Sequence, residues 1–151
     1  MPQIERKESK VRVRPMEAMD LEAALAIDRK ISGTRRAITY TDLFTGDLGG
    51  VLDLSFVAEV DGQIAGFILA RRAYVGEPVA EVGLVQIMGV DPDYQRRGIG
   101  TKLVEALVET GRAEKLKSVR VMVNERDSEL QEFFAQMGFK RGQLIDYTQE
   151  L

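Results

Sequence analysis

The sequence predicts an α/β (α+β) fold in which a mixed, mostly antiparallel sheet is flanked by helices. Two observations support this prediction. In the first half of the chain, the Asp61-Gly62 pair separates two apolar runs, which is a strong signal for a two-residue hairpin. In the second half, strand patterns alternate with amphipathic helices, which is typical of β-α-β units. Over the whole chain we expect about six to seven strands and about four helices.

The first half contains a strand, a helix and then a hairpin region. The alternation from Val11 to Arg14 predicts a strand that Pro15 ends, and Asp20 is a good N-cap for a helix that ends near Ser32. A further short helix is suggested over residues 40–44. Strands are then predicted over residues 55–60, 63–74 and 79–90, with turns at 61–62 and 76–78.

The second half is predicted to alternate helices and strands. A helix over about residues 98–114 has its apolar side chains on one face, and a strand follows over residues 119–123. Asp127 is predicted to cap the next helix, and Gly138 to end it in a left-handed conformation. Two last strands are expected, from Phe139 onward and near residues 144–149.

The composition is that of a single globular domain. The chain has 151 residues, of which 44% are apolar and 30% charged, so a sizeable core is expected. Residues 1–10 are polar and are expected to form a flexible tail, with one domain over residues 11–151. No apolar run has the length of a signal peptide or a membrane span, so we expect a cytoplasmic location and no membrane partner.

The missing residue types narrow the chemistry. The chain has no cysteine and no histidine, which excludes disulfides, cysteine nucleophiles and the Ser-His-Asp arrangement, and no metal site is expected. The net charge of −3 gives no indication of nucleic-acid binding. Acid–base chemistry is therefore left to carboxylates, tyrosine, lysine, water or the backbone.

The link between strand 79–90 and the helix after it carries the clearest functional signal. Gly98 and Gly100 stand at the helix start, where side chains would block approach to the backbone. First-turn N–H groups have no intrahelical acceptors, and with the helix dipole they form a site for a phosphate-like anion. Arg96 and Arg97 add positive charge, and Thr101 adds a hydroxyl donor.

Taken alone, the two glycines are a weak signal, because a tight turn with solvated arginines has the same pattern. The segment is not a P-loop, since no Gly-Lys-Ser/Thr follows it. It is not the dinucleotide fingerprint either, since Leu103 stands where the third glycine belongs.

In its wider context the segment resembles motif A of the GNAT acetyltransferase superfamily. That motif is Gln/Arg-x-x-Gly-x-Gly/Ala, after a strand that ends in Val-x-Pro and before an amphipathic helix. Here it stands as Gly89-Val90-Asp91-Pro92-Asp93-Tyr94-Gln95-Arg96-Arg97-Gly98-Ile99-Gly100. Downstream, the end of the family's next helix, Tyr-x-x-x-Gly-Phe, is similar to Phe134-Ala135-Gln136-Met137-Gly138-Phe139. The resemblance covers about residues 11–149.

The resemblance implies the GNAT fold and an N-acetyltransferase with acetyl-CoA as co-substrate. In this family the pantetheine arm lies between two parallel strands that splay apart, here expected to be residues 79–90 and 119–123. Backbone groups of the first strand contact pantetheine and the thioester carbonyl, where they act as oxyanion donors. By position in the motifs, the cofactor-binding residues are expected to be Ile87, Met88, Gly89, Val90, Gln95, Arg96, Arg97, Gly98, Ile99, Gly100, Thr101, Asn124 and Phe134.

Two of these positions have a second interpretation. Gly89 either marks a bulge that opens the gap or simply makes room for packing. Near Asn124, Asp127 either touches pantetheine or only caps its helix.

The proton-transfer residues depart from the family pattern. Many members place a tyrosine, which protonates the leaving thiolate, where this chain has Phe134. The thiolate then leaves unassisted, or Tyr147 or Tyr74 replaces the missing acid, unless both are ordinary strand residues. For the base, family members often use a strand carboxylate, and the candidates here are Glu81 and Glu59. Gln86 on the same strand as Glu81 lacks a titratable group and is expected only to orient water or substrate.

The acceptor is expected to be a primary amine of a small molecule, a peptide N-terminus or a lysine. By resemblance, its site is expected among residues 28–45, 71–77 and 142–147. Arg29, Lys30, Arg35 and Arg36 form a basic cluster that indicates either an acidic acceptor or a solvated helix end. Tyr40 and Phe44 are expected to line an apolar wall or to pack in the core. Homodimers are frequent in the family, but no apolar stripe identifies an interface.

Three functions are compatible with these features. The first is an acetyltransferase, the second is an acyl-CoA-binding sensor or regulatory protein of the same fold, and the third is an unrelated nucleotide-phosphate binder. Selective stabilisation by acetyl-CoA would exclude the third, and release of CoA thiol with an amine would separate the first from the second.

Overall fold

The computed structural model describes residues 10–32 and 54–151, which form one five-stranded sheet with helices on both faces. The strands are β1 Val11–Pro15, β2 Phe56–Val60, β3 Gln63–Val75, β4 Ala80–Val90 and β5 Val119–Val121. The helices are α1 Leu21–Ser32, α2 Ile99–Ala113 and α3 Ser128–Gln136, and short 3-10 turns span Ala18–Asp20 and Pro92–Tyr94.

The sheet follows chain order and is mostly antiparallel, as predicted. β1 to β4 pair as antiparallel neighbours, and β5 joins β4 in parallel. The Asp61-Gly62 turn between β2 and β3 has positive φ at both residues, 52° and 77°, which is the backbone that a two-residue hairpin with native twist requires. The predicted hairpin is therefore confirmed.

Each face of the sheet buries its own apolar cluster. On one face, α2 places Leu103 and Leu107 against Ile68 of β3 and Val85 of β4, and Phe134 of α3 joins the same cluster. On the other face, α1 packs its apolar side chains against Val57 of β2, Phe67 and Leu69 of β3, and Ile87 of β4. On β3 the period-2 alternation decides which residues lie under which helix. On β4 an irregularity in the ladder between Val85 and Ile87 shifts the alternation, so these two residues lie under opposite helices.

Asp20 does not cap α1, which corrects the prediction. Its carboxylate instead accepts two hydrogen bonds from the Arg14 guanidinium, at 2.7 and 2.8 Å, and one from the Glu17 backbone N–H at 2.8 Å. Arg14 also donates to Glu59 at 2.8 Å. Arg14 on β1 binds the Asp20 carboxylate in preference to the α1 backbone, because a bidentate guanidinium–carboxylate pair is stronger than a hydrogen bond from a neutral backbone N–H.

Replacing Asp20 with Asn is expected to lower the free energy of unfolding by about 1–3 kcal/mol near neutral pH. The Arg14 hydrogen bonds hold the pKa of Asp20 below its ordinary 3.8 against the opposing effect of burial. A lowered folded-state pKa means that the stabilisation is complete above 3.8 and is lost as pH falls through the lower folded-state value. Urea unfolding should therefore show a gap between wild type and variant at neutral pH that narrows below 3.8; a gap that widens on acidification would contradict this.

The predicted end of the domain is only partly correct. Asp127 caps α3 by accepting a hydrogen bond from the Leu130 N–H at 3.1 Å, and Gly138 has φ of 90°, as expected. The two strands predicted from Phe139 onward and near residues 144–149 are not formed, and residues 140–151 have no regular structure. Alternating apolar side chains cannot form a strand without a backbone partner, and β5, the last strand before them in the chain, is only three residues long.

The described residues thus contain five strands and three α-helices, fewer than predicted. The helix suggested over residues 40–44 lies outside them. Among residues 10–32 and 54–151, no helix has the length and apolar character needed to cross a membrane.

Candidate active site

A gap opens between β4 and β5 because their pairing stops before β4 ends. β4 pairs with β5 only from Gly83 to Val85, yet it continues to Val90. Pairing stops beside an irregularity in the β3–β4 ladder, where Leu69 lies opposite Ile87 and Ala70 opposite Val85. The extra residue between those positions is Gln86, which forms a bulge.

The last part of β4 offers backbone groups to this gap. The Asp91 N–H donates to the Ala65 carbonyl at 2.8 Å, which fixes the phase of the β3–β4 hydrogen bonds. Hydrogen-bonded and free positions alternate along an antiparallel pair, so Met88 and Val90 turn their N–H and C=O groups away from β3 and toward the gap. Consistent with this direction, the Val90 carbonyl accepts a hydrogen bond from the Gln95 side chain at 3.2 Å.

The turn after β4 is anchored by Asp91, which is 6% exposed. Its carboxylate accepts from the Asp93 N–H at 3.0 Å and from Lys30 Nζ of α1, also at 3.0 Å. Burial opposes ionisation of Asp91, but the Asp93 N–H and Lys30 hold its pKa below the ordinary value. The turn that leads into the glycine segment is therefore held by a bond within the turn and by a bond from α1.

The glycine segment leaves donors exposed at the start of α2. Arg96 and Gly98 have positive φ, 67° and 70°, which turns the chain sharply into the helix. The first helical hydrogen bond runs from the Lys102 N–H to the Gly98 carbonyl at 3.0 Å. Among the described residues, the N–H groups of residues 99–101 have no backbone acceptor. They are the donors expected of an anion site at a helix N-terminus.

Apolar contacts hold this helix start against the sheet. Ile99 is 2% exposed and lies over Gly66 of β3, where even a Cβ would come within 2.8 Å of Ile99 Cγ2. A Cβ on Gly100 would point toward Phe133 and Met88, at 3.5 and 3.7 Å. The glycine segment is thus placed directly beside the end of β4 whose backbone faces the gap.

Comparison with known proteins identifies the arrangement. Residues 21–139 match the acetyltransferase (GNAT) family. The chain belongs to that family. Over 91 residues it is 29% identical to an uncharacterized N-acetyltransferase of Methanocaldococcus jannaschii, a match that covers 60% of this chain and 40% of the relative.

Solved structures show the same GNAT fold. An aminoglycoside N-acetyltransferase in complex with CoA has a TM-score of 0.76 and 18% identity, with 96% of this chain and 97% of that chain covered. A ribosomal-protein-alanine N-acetyltransferase from Brucella melitensis biovar Abortus 2308 has a TM-score of 0.74 and 14% identity, with 94% and 99% covered.

In this GNAT chain, Glu81, the predicted base, lies near the start of β4, before the residues that pair with β5. It precedes Gln86 by five residues, which places it roughly 17 Å along the strand from the gap. Its carboxylate is paired with Arg72 at 3.0 Å and accepts from the Tyr74 hydroxyl at 3.2 Å. Arg72 also pairs with Glu114 at the C-terminal end of α2, about 22 Å along the helix from the glycine segment. Glu81 and Tyr74 therefore belong to a surface network remote from the gap.

The other predicted proton-transfer residues lie in three different environments. Tyr147 is 88% exposed in the C-terminal segment. Glu59 is taken up by its ion pair with Arg14. Phe134 is buried in the core, with its ring centroid 5.1 Å from those of both Phe133 and Phe139. In the sequence, Gln86 directly follows the last residue of β4 that pairs with β5, and it is the extra residue of the β4 bulge.

Predictions for the remaining residues have mixed outcomes. Gly89 is not the bulge, because it pairs in register with Phe67; it makes room for packing, since a Cβ there would lie 3.0 Å from both Phe67 and Ile31. Asn124 and Asp127 line one open depression at the start of α3, where Asn124 accepts from the Arg126 N–H at 2.8 Å. Arg97 lies over the Tyr94 ring at 5.3 Å.

The contacts of Gly66 and Lys30 were not predicted from the sequence. Gly66 gave no signal beyond being a glycine within a strand, which itself indicates a close approach by another backbone or side chain. Lys30 was interpreted as part of a basic cluster for an acidic acceptor or of a solvated helix end, but it pairs with Asp91 and Asp93. Arg29 is exposed, and Arg35 and Arg36 lie outside the described residues, as do Tyr40 and Phe44.

Proposed function

We propose that the protein transfers the acetyl group of acetyl-CoA to a primary amine by direct attack in a ternary complex. The observation that carries this proposal is that two features suited to this cofactor lie next to each other. The gap after Val85 and the donor-rich start of α2 lie at the same end of β4. A cofactor with an anionic pyrophosphate and an extended amide-containing arm matches both features, and a simple nucleotide matches only the second.

The cofactor's contacts follow from the backbone directions. The pyrophosphate binds the N–H groups of Ile99, Gly100 and Thr101, with Arg96 as the nearby cation. The pantetheine amides form hydrogen bonds with the free backbone N–H and C=O groups of Met88 and Val90, as a neighbouring strand would. For this the Gln95 side chain must release the Val90 carbonyl, which it holds at 3.2 Å.

The chemistry requires little from ionisable side chains. The amine nitrogen attacks the thioester carbonyl, the carbon–sulfur bond breaks, and the products are an acetamide and CoA thiol. A β4 N–H facing the gap stabilises the oxyanion. The thiolate leaves without an acid at residue 134 and takes a proton from solvent to become CoA thiol, and the amine proton passes to solvent. Gln86 orients the amine or the water that accepts that proton.

Gln86→Ala is expected to lower kcat about tenfold while leaving acetyl-CoA affinity unchanged, because the side chain acts on the acceptor side of the thioester. The matched control is Glu81→Gln on the same strand, which should keep kcat within about twofold because its carboxylate is remote. Steady-state kinetics with the best amine substrate would decide between them. Loss of activity in the Glu81 variant alone would return the role of base to Glu81.

An amine panel tests the proposed reaction. Purified protein with acetyl-CoA is assayed for release of free CoA thiol against aminoglycosides, polyamines, amino acids and peptides with free N-termini. Thiol release that depends on one amine class supports the proposal. Binding of acetyl-CoA without amine-dependent release would instead favour an acyl-CoA sensor, a reading supported by Phe134 at the family's tyrosine position.

We also infer that two copies of the chain associate through residues 140–151. Leu144, Ile145 and Tyr147 of this segment are 54%, 73% and 88% exposed. Among the described residues, β5 has β4 as its one neighbour. An exposed apolar segment and an open strand edge in one chain favour association between copies. Light scattering should show a dimer that Leu144→Asp/Ile145→Asp converts to a monomer; a monomeric wild type would contradict this.

A further inference from the structure

The last turn of α1 is fastened to the end of β4 by two neighbouring residues. Lys30 Nζ lies 3.0 Å from the Asp91 carboxylate and 3.4 Å from that of Asp93. Next to it, the Ile31 side chain reaches Gly89, where a Cβ would come within 3.0 Å of Ile31 Cδ1. One polar and one apolar contact therefore hold α1 on the last residues before the glycine segment.

Asp91 fixes the geometry of the turn that α1 holds. Its N–H donates to the Ala65 carbonyl, its carbonyl accepts from the Tyr94 N–H, and its carboxylate accepts from the Asp93 N–H. These three bonds connect β3, β4 and the turn. Lys30 is the contact to Asp91 from α1, so it ties this unit to the opposite face of the sheet.

Charge makes the contact relevant to an anionic ligand. Asp91 and Asp93 precede Gln95 by only four and two residues, so two carboxylates lie close in sequence to a site proposed to bind pyrophosphate. Unpaired carboxylates near a bound phosphate weaken its binding, and partial burial of Asp91 reduces solvent screening of its charge. Lys30 contacts both carboxylates and offsets one of their two negative charges.

We propose that Lys30 is a positioning residue for the cofactor: by pairing with Asp91 and Asp93 it fixes the turn before the glycine segment and removes negative charge that would repel the pyrophosphate. This rests on the proposed acetyl-CoA site. Lys30 lies on α1, which was expected to contribute to the acceptor site. The proposal instead gives Lys30 a role in binding the cofactor.

The test is CoA affinity, measured by calorimetry at a temperature where every variant is folded. Lys30→Met is expected to bind CoA about tenfold more weakly at low salt, and Lys30→Arg close to wild type, because the guanidinium keeps the charge. The control is Arg14→Met, which breaks an ion pair on the same face: it should lower the melting temperature but leave CoA affinity unchanged.

A double-mutant cycle tests whether the effect passes through Asp91. Lys30→Met should weaken binding less in an Asp91→Asn background than in wild type. An equal loss in both backgrounds, or CoA affinity of Lys30→Met within twofold of wild type, would overturn the inference. If wild type itself does not bind CoA, the proposed function has failed, and that outcome is distinguishable from failure of the Lys30 role.

Discussion

Gly100→Asp is expected to reduce CoA affinity by about 100-fold or more while the fold persists. The variant places a carboxylate at the N-terminus of α2, among the N–H groups proposed to bind the pyrophosphate. At an effective dielectric constant near 20, two like charges about 4 Å apart repel by about 4 kcal/mol. That repulsion is larger than a loss of affinity of about 100-fold requires. The helix itself tolerates the change, because an acidic side chain in the first turn complements the helix dipole.

Gly100→Asn separates charge from size in this experiment. It has nearly the same shape as the aspartate but no charge, so it should bind CoA at least about tenfold more tightly than Gly100→Asp. Circular dichroism and melting temperature would verify that both variants are folded. Equal losses in the two variants would mean that the side chain only blocks space. Unchanged affinity in the aspartate variant would mean that the pyrophosphate does not bind at this helix start.

Gly66→Ala is expected to lower the free energy of unfolding by about 1–3 kcal/mol, because it overpacks the contact between β3 and α2. The added Cβ would lie 2.8 Å from Ile99 Cγ2, 3.2 Å from the Gly89 carbonyl oxygen and 3.3 Å from Leu103 Cδ1. The carbonyl belongs to the β4 backbone and cannot rotate away. Displacement of Ile99 would also disturb the start of α2, so CoA affinity should fall as well.

Gly100→Ala is the matched control for this substitution. Its Cβ would meet Phe133 at an ordinary 3.5 Å, so urea unfolding should show no loss of stability and even a small gain in helix propensity. Adding Ile99→Ala to Gly66→Ala should cost less than the sum of the two single substitutions, because it removes the clashing methyl group. Strict additivity would mean that the contact between Gly66 and Ile99 is not the cause.

Local signals in the sequence were enough to predict the framework of the fold. The Asp61-Gly62 pair, the apolar face of α2 and the Asp127 cap each depend on neighbours in the chain, and each is confirmed. The predicted cap at Asp20 and the predicted C-terminal strands were wrong because they depend on residues far away in the chain. A cap competes with a distant partner, here Arg14, and a strand needs an edge with which to pair.

In the candidate site too, features set by neighbouring residues were predicted, and features set by the pairing of distant segments were not. The geometry of the glycine segment, with free backbone donors at a helix start, was predictable because it depends on glycines in a fixed local order. The bulge at Gln86 was not predicted, because a bulge is a property of two strands in register, which no single segment reveals. Glu81 was favoured for its residue type and its strand. Only the pairing with Arg72 and Glu114 shows at which end of the sheet it lies.

The most direct test of the account is a calorimetric titration of the wild-type protein with acetyl-CoA, alongside ATP and NAD. The gap between β4 and β5 and the donors at the start of α2 together predict one saturable site per chain for acetyl-CoA. They also predict much weaker binding of ATP and NAD, which carry phosphates but no pantetheine arm. Absence of binding at millimolar acetyl-CoA, or equal affinity for ATP, would contradict the assignment of this site to the cofactor.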